Sequence, residues 1–111
     1  MSNAMPKETE AEVRKALFRE AVAKAADFIE KNPEKFHFHS IYVPSSEEHD
    51  RACAIGWIGY FAKMLPGTNI NETVDYFGTT DREIYKRFNS IDPSWILSAD
   101  RCVAALRAAY L

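Results

Sequence analysis

A mainly α fold, compact and single-domain, with about five helical segments and at most one or two short strands, follows from three features of the sequence. The stretch from Arg51 to Leu65 is apolar almost all the way round a helical wheel and lies between Asp50 and Pro66-Gly67. A helix without a polar face is one that the rest of a fold packs around. Residues 8–31 carry a second helical pattern, with Val13, Leu17, Ala21, Val22, Ala25, Phe28 and Ile29 on one face. Beyond Gly67, capping and breaking residues recur at short intervals, as they do where short helices follow one another. The chain of 111 residues is one domain in length, and at that size roughly two-thirds of the unfolded surface is buried. Residues 5–111 are expected to form that domain, with Met1-Ser2-Asn3-Ala4 reading as an expression-tag remnant ahead of Met5.

The first helix has a charged outer face. Seven basic and seven acidic residues between Lys7 and Lys35 cancel, the signature of a solvated surface. Asn32-Pro33 stops it. Residues 36–43, Phe-His-Phe-His-Ser-Ile-Tyr-Val, alternate aromatic and β-branched residues and predict an extended segment ending before Pro44. The polar run Ser45 to Asp50 predicts a loop into the central helix, 51–65. That helix is shorter than the 18 apolar residues of a membrane span. Its Gly56 and Gly59, three apart, leave a patch where another backbone can come close. Asn71 predicts the cap of a short helix over 72–77, Gly78 its left-handed end, Thr80 the cap of a helix over 81–88, Asp92-Pro93 a new start, and Ser98 the cap of the last helix.

Net charge of -2 and pI near 5.9 give no general attraction to nucleic acid or to anionic lipid. Nothing near the N-terminus reads as a secretion signal, so a soluble, cytoplasmic protein in a reducing compartment is expected. Cys53 and Cys102 lack metal-type spacing and read as buried thiols.

From Phe38 onward the order of motifs is an aromatic segment (Phe38-His39-Ser40-Ile41-Tyr42), a Cys53-Ala54-Ile55-Gly56-Trp57 helix start, Tyr76-Phe77-Gly78, Ile84 to Phe88-Asn89, and an Ala-rich closing helix. This resembles small uncharacterised bacterial and phage-associated proteins with a Cys-Ile-Ala-Gly-Trp-like core helix. The resemblance implies a helical fold and carries no chemistry.

Four arrangements bear on function. Residues 72–88 are similar to a helix-turn-helix: Phe77 and Ile84 would join two helices across Gly78, with Arg82, Tyr85, Lys86 and Arg87 facing DNA. A plain αα corner accounts for the same residues, and Asp75, Asp81 and Glu83 put negative charge beside the proposed contacts. His37, His39 and His49 with Asp50 lie close in sequence, and a His-x-His pair in an extended segment starts a Zn²⁺ or similar metal site that a hydrolase would use; the alternative is an edge facing solvent. Cys53, at a helix start four residues after His49, has the makings of an activated thiol, against simple packing. Trp95, after Asp92-Pro93-Ser94, is an interaction patch if exposed and a lid over the core if not.

No Gly-rich phosphate loop or Ser-His-Asp signature is present. The leading expectation is a non-catalytic protein-interaction or binding module, with a protein partner or self-association. DNA binding through residues 72–88 and a metal-dependent hydrolase at the histidines are the alternatives. No membrane partner and no cofactor is expected outside the histidine arrangement.

Overall fold

Asn32-Pro33 ends the first helix as expected: α1 runs Lys7–Lys31, a single 3-10 turn at Pro33–Lys35 follows, and the chain reverses onto the core. The computed structural model describes residues 7–111, so the tag remnant expected at 1–4 lies outside the described residues. Four more helices follow, α2 (Ala54–Phe61), α3 (Ile70–Tyr76), α4 (Asp81–Ile91) and α5 (Ala99–Tyr110), with a 3-10 turn at Trp95–Leu97 before the last. The fold is mainly α, and the described residues contain no strand.

The central helix is shorter at both ends than the 51–65 expected from its apolar pattern. At its start, Ala52 is held in extended backbone by a parallel bridge to Phe36, accepting from the His37 amide (3.0 Å) and donating to Lys35 O (3.0 Å). At its end, Lys63 adopts a left-handed backbone (φ 64°), and the Lys63 and Met64 amides donate back to Tyr60 O (3.1 Å) and Gly59 O (2.9 Å). That is the Schellman arrangement, here with lysine where glycine is usual.

What remains of the helix is buried on every side. Ala54, Ile55, Gly56, Trp57, Ile58 and Gly59 are all enclosed. α1 covers one flank through Ala21, Val22, Ala25, Ala26 and Ile29, and α3 packs against another; α1 also packs along α5. Small alanines on α1 let the helices come close, while Trp57 fills the space between them and Phe28 (ring centroids 4.4 Å). Burying a side chain of this size contributes about 1.5–3 kcal/mol. Val13, expected on the buried face of α1, is 54% exposed: residues 11–16 lie beyond the core, and packing begins with Leu17 and Phe18.

The aromatic segment 36–43, expected to be extended, is broken by a turn at Phe38-His39, where Ser40 N donates to His37 O (3.1 Å), and it pairs as no strand. Its hydrogen bonds go to scattered places: Cys53 N donates to Ser40 O, Ile70 N to Ile41 O and Val43 N to Thr68 O. Only isolated bridges result, Phe36 with Ala52 and Tyr42 with Asn69.

The cap of α3 is Asn69, whose side chain accepts from the Asn71 amide (2.8 Å), not Asn71 itself. Ile70 is buried, and its amide is held by Ile41 O, which draws the helix start two residues earlier. The caps at Thr80 and Ser98 and the turn at Gly78 fall where the sequence placed them, while α4 runs on to Ile91, past the expected 88, and the start expected at Asp92-Pro93 gives only the 3-10 turn Trp95–Leu97. Thr80 accepts from Glu83 N (3.2 Å), Ser98 from Arg101 N (3.2 Å), and Gly78 takes φ 79° with Thr79 N donating to Val74 O.

Gly56 faces the extended segment so closely that a Cβ there would lie 2.8 Å from Ala52 Cβ and 3.0 Å from Tyr42 O. Overpacking of this kind costs about 1–3 kcal/mol, offset by about 1 kcal/mol of improved helix propensity. Gly56→Ala is therefore expected to lower the urea midpoint, and Gly56→Val, without that offset, to lower it further. An unchanged midpoint in both would show that residues 40–43 can move away freely.

Candidate binding groove

The structure brings His37 and His39 side by side but assembles no third metal ligand with them among the described residues. His37 Nδ1 lies 2.9 Å from Ser40 Oγ, and the His37 and His39 rings sit 5.9 Å apart with His39 also against Phe38. The His49 side chain is 83% exposed, beside the Glu48 carboxylate at 3.8 Å. Asp50 is already occupied: its Oδ2 accepts from Ser45 N (2.7 Å), Ser45 Oγ (2.6 Å) and Ser46 N (3.1 Å). These bonds, the Ser45 hydroxyl foremost, hold its carboxyl below the usual range and make it the clasp of the 45–50 loop. Among the described residues no three His, Cys, Asp or Glu side chains converge as a metal site requires, so the expected set of His37, His39, His49 and Asp50 does not form.

Cys53 is not an activated thiol. It caps α2 with Sγ accepting from the Gly56 amide at 3.5 Å, yet the side chain is buried, and burial pushes the thiol up despite the helix N-terminus. His49, its expected base, is out in solvent. Cys102 is likewise buried, its thiol raised to about 12 chiefly by burial. Trp95 is 2% exposed, so of its two readings the lid is the one found. Its Nε1 donates to Asn89 Oδ1 (2.8 Å), Tyr85 stacks on it (5.4 Å, 27°) and Phe88 meets it edge-on (4.8 Å). The residues just beyond it do face solvent, Ile96 at 38% and Leu97 at 77% exposure.

The four residues expected to face DNA do not share a face. Tyr85 and Arg87, two residues apart, are separated by about 200° around the helix. Tyr85 is half-buried under Trp95, and Arg87 lies over the Tyr110 ring on the opposite flank (5.1 Å). Only Arg82 and Lys86 remain together on the exposed crest of α4. Phe77, expected to join this corner with Ile84, also lies against Phe18 of α1 (5.0 Å).

That contact opens the feature the sequence reading missed. α1 does not close against the α3–α4 corner and the end of α5, and a groove of about 570 Å³ is left between them. Its floor is apolar. Phe18 meets Phe77 at 5.0 Å and Tyr110 edge-on at 5.1 Å, with Ala109 beside them. All four are half-buried, so each keeps a face or edge in solvent. The rim is cationic, with Lys15 and Arg19 from α1 and Arg87 from α4; none of the three forms an ion pair among the described residues. The rim's single carboxylate, Glu83, accepts from Thr79 Oγ1 (3.0 Å). Burial raises the Tyr110 phenol, while Arg87 pulls it back. The lining holds no histidine or cysteine; what it offers is aromatic surface and positive charge.

One sign of the groove lay in the sequence. Lys15 and Arg19 are like charges at i, i+4, a spacing that disfavours an isolated helix, and they flank Phe18. Comparison with family models, with curated proteins and with solved structures finds no match for this chain.

Two outcomes are expected of the thiols. A thiol-reactive chromophore at pH 8 should leave the native protein unlabelled and label both cysteines in urea, whereas fast native labelling would place a thiol at the surface. Between its ordinary 9.0 and about 12, Cys102 keeps its proton folded and loses it unfolded. Its contribution to stability is thus complete below about pH 9 and lost as pH rises toward about 12. The urea midpoint should fall over that window, less steeply in Cys102→Ala.

Proposed function

We propose that this chain is a non-catalytic binding module, and that the groove between α1, the α3–α4 corner and α5 seats a ligand combining an apolar body with negative charge. One observation carries this reading: three cations without ion-pair partners surround an open aromatic floor, with a single carboxylate among them. Elsewhere some cations are engaged, Arg107 by Glu30 and Asp27, Arg101 by Asp92 and Lys24 by Glu20, while Arg51, Lys63, Arg82 and Lys86 also form no ion pair among the described residues. What sets Lys15, Arg19 and Arg87 apart is that they line one aromatic floor together. A ligand's apolar body would cover ring surface now in water, at about 25 cal/mol per Å². Its anionic group would meet cations worth about 0.2–1 kcal/mol each at such exposure.

A set of naphthalene carboxylates, with the matching amines as controls, tests this reading by amide chemical shifts of the ¹⁵N-labelled protein. The carboxylates are expected to move the amides of Thr79, Ala109 and Tyr110. In Lys15→Ala with Arg19→Ala their affinity should fall roughly fivefold, about 1 kcal/mol. Amines binding as well as carboxylates, or no shifts at millimolar ligand, would remove the proposal.

A further inference from the structure

Resting on the groove reading above, we infer that the natural occupant is a short acidic peptide segment of a partner protein, carrying an aromatic or large aliphatic residue next to its acidic residues. The groove does not stop at Phe77. A second cleft of about 360 Å³ is lined by Ala11 and Arg14 of α1 and by Asp75, Tyr76 and Gly78 of the corner. Phe77 lines both clefts and so joins them. The α1 residues lining the two clefts run from Glu10 to Arg19, a length of about 13 Å at 1.5 Å per residue. An extended chain covers that distance with about four or five residues at about 3.3 Å each. A compact small molecule fills one cleft; a linear segment fills both.

Charge orders the segment. The first cleft holds Lys15, Arg19 and Arg87, which lack ion-pair partners, and it receives the acidic residues. The second is balanced within itself. Arg14 is bound to Glu10 (3.2 Å) and lies over the Tyr76 ring (4.7 Å), and Asp75 stands beside them. That cleft receives the apolar residue, against Tyr76 and Phe77. A nucleic acid strand suits this surface poorly, because its evenly spaced phosphates would face Glu10, Asp75 and Glu83 along the way.

The test titrates the ¹⁵N-labelled full chain with an end-blocked pentapeptide of three acidic residues followed by phenylalanine and leucine. The same peptide with lysines for the acids, and a hexamer of deoxythymidylate, serve as controls. The acidic peptide is expected to move the amides of Thr79 and Tyr110 and those of Ala11 and Gly78 along one saturation curve. Lys15→Glu with Arg19→Glu should weaken it at least tenfold, and circular dichroism verifies that this variant, altered only at exposed positions, is folded. Shifts confined to Thr79 and Tyr110 would overturn the peptide inference and leave the groove reading standing. No shifts with the peptide or with the naphthalene carboxylates would overturn both. Equal binding of the basic peptide or of the oligonucleotide would overturn the acidic peptide as occupant.

Discussion

The enclosure of α2 is the constraint on which the rest of the structure depends. Six consecutive residues, Ala54 to Gly59, have no side exposed to water, so every direction around the helix must be covered by another part of the chain. Helices cover the flanks reached by α1 and α3. The remaining side is taken by residues 40–43, which approach only because Gly56 and Gly59 have no side chain: a Cβ at Gly59 would stand 2.7 Å from Val43 Cγ2 and 3.1 Å from Thr73 Cγ2. Trp57 completes the enclosure and ties it down, its Nε1 donating to Lys35 O at 2.9 Å. The segment 36–43 is thus shaped by what it must cover. Its backbone groups bond to α2's approach, to the start of α3 and to the loop before it, and no neighbouring strand is needed.

A second consequence runs through the aromatic residues. Trp95 meets Phe88 at 4.8 Å, Phe88 meets Tyr110 at 6.1 Å, Tyr110 meets Phe18 at 5.1 Å and Phe18 meets Phe77 at 5.0 Å. Only the last three members of this chain reach solvent, and they are the floor of the groove. Their rings are held by neighbours that are themselves fixed, Phe88 and Trp95 being fully buried. A floor placed in this way loses little side-chain freedom when a ligand covers it, which favours binding. The same packing explains why Cys53 and Cys102 are inert: each lies in the core that holds the rings in place.

Much of this was legible in the sequence, and the divide follows the physics. Helix existence, the two-helix corner and the caps at Thr80 and Ser98 depend on local chemistry, which a sequence displays directly. The ends of α2 were not legible, because Ala52 takes its conformation from Phe36 across a bridge, and the left-handed turn that closes the helix locally falls on Lys63, where no glycine marks it. Asn71 lost the cap to Asn69 for a similar reason, since Ile41 fixes Ile70 from outside the helix. The sites fared worst. Nearness in sequence placed His37, His39 and His49 in one group, but the loop that carries His49, its amide bonded to Ser46 Oγ, leaves the imidazole in solvent. Of the groove only the like charges Lys15 and Arg19 beside Phe18 showed in the sequence, because Phe18, Phe77 and Tyr110 are far apart in the chain and each alone reads as core.

Charge counting along α1 concealed a spatial pattern of the same kind. Seven bases and seven acids between Lys7 and Lys35 cancel as a sum, but the fold sorts them by position. Toward the C-terminal end of α1, Asp27 and Glu30 face α5 and grip Arg107, at 2.8 Å and 2.7 Å. Those contacts raise the hold of Arg107 on its proton and keep the Glu30 carboxyl below its usual range, so the cation at this end of the α1–α5 seam is fully engaged within the molecule. Toward the other end, Lys15 and Arg19 look across the groove at Arg87, and nothing of opposite sign from α5 meets them. One seam therefore carries a satisfied charge cluster at one end and an unsatisfied one at the other. The satisfied end fastens α5 to α1. At the other end Phe18 still reaches Tyr110, and Lys15, Arg19 and Arg87, with Glu83 the single carboxylate beside them, leave net positive charge around the aromatic floor.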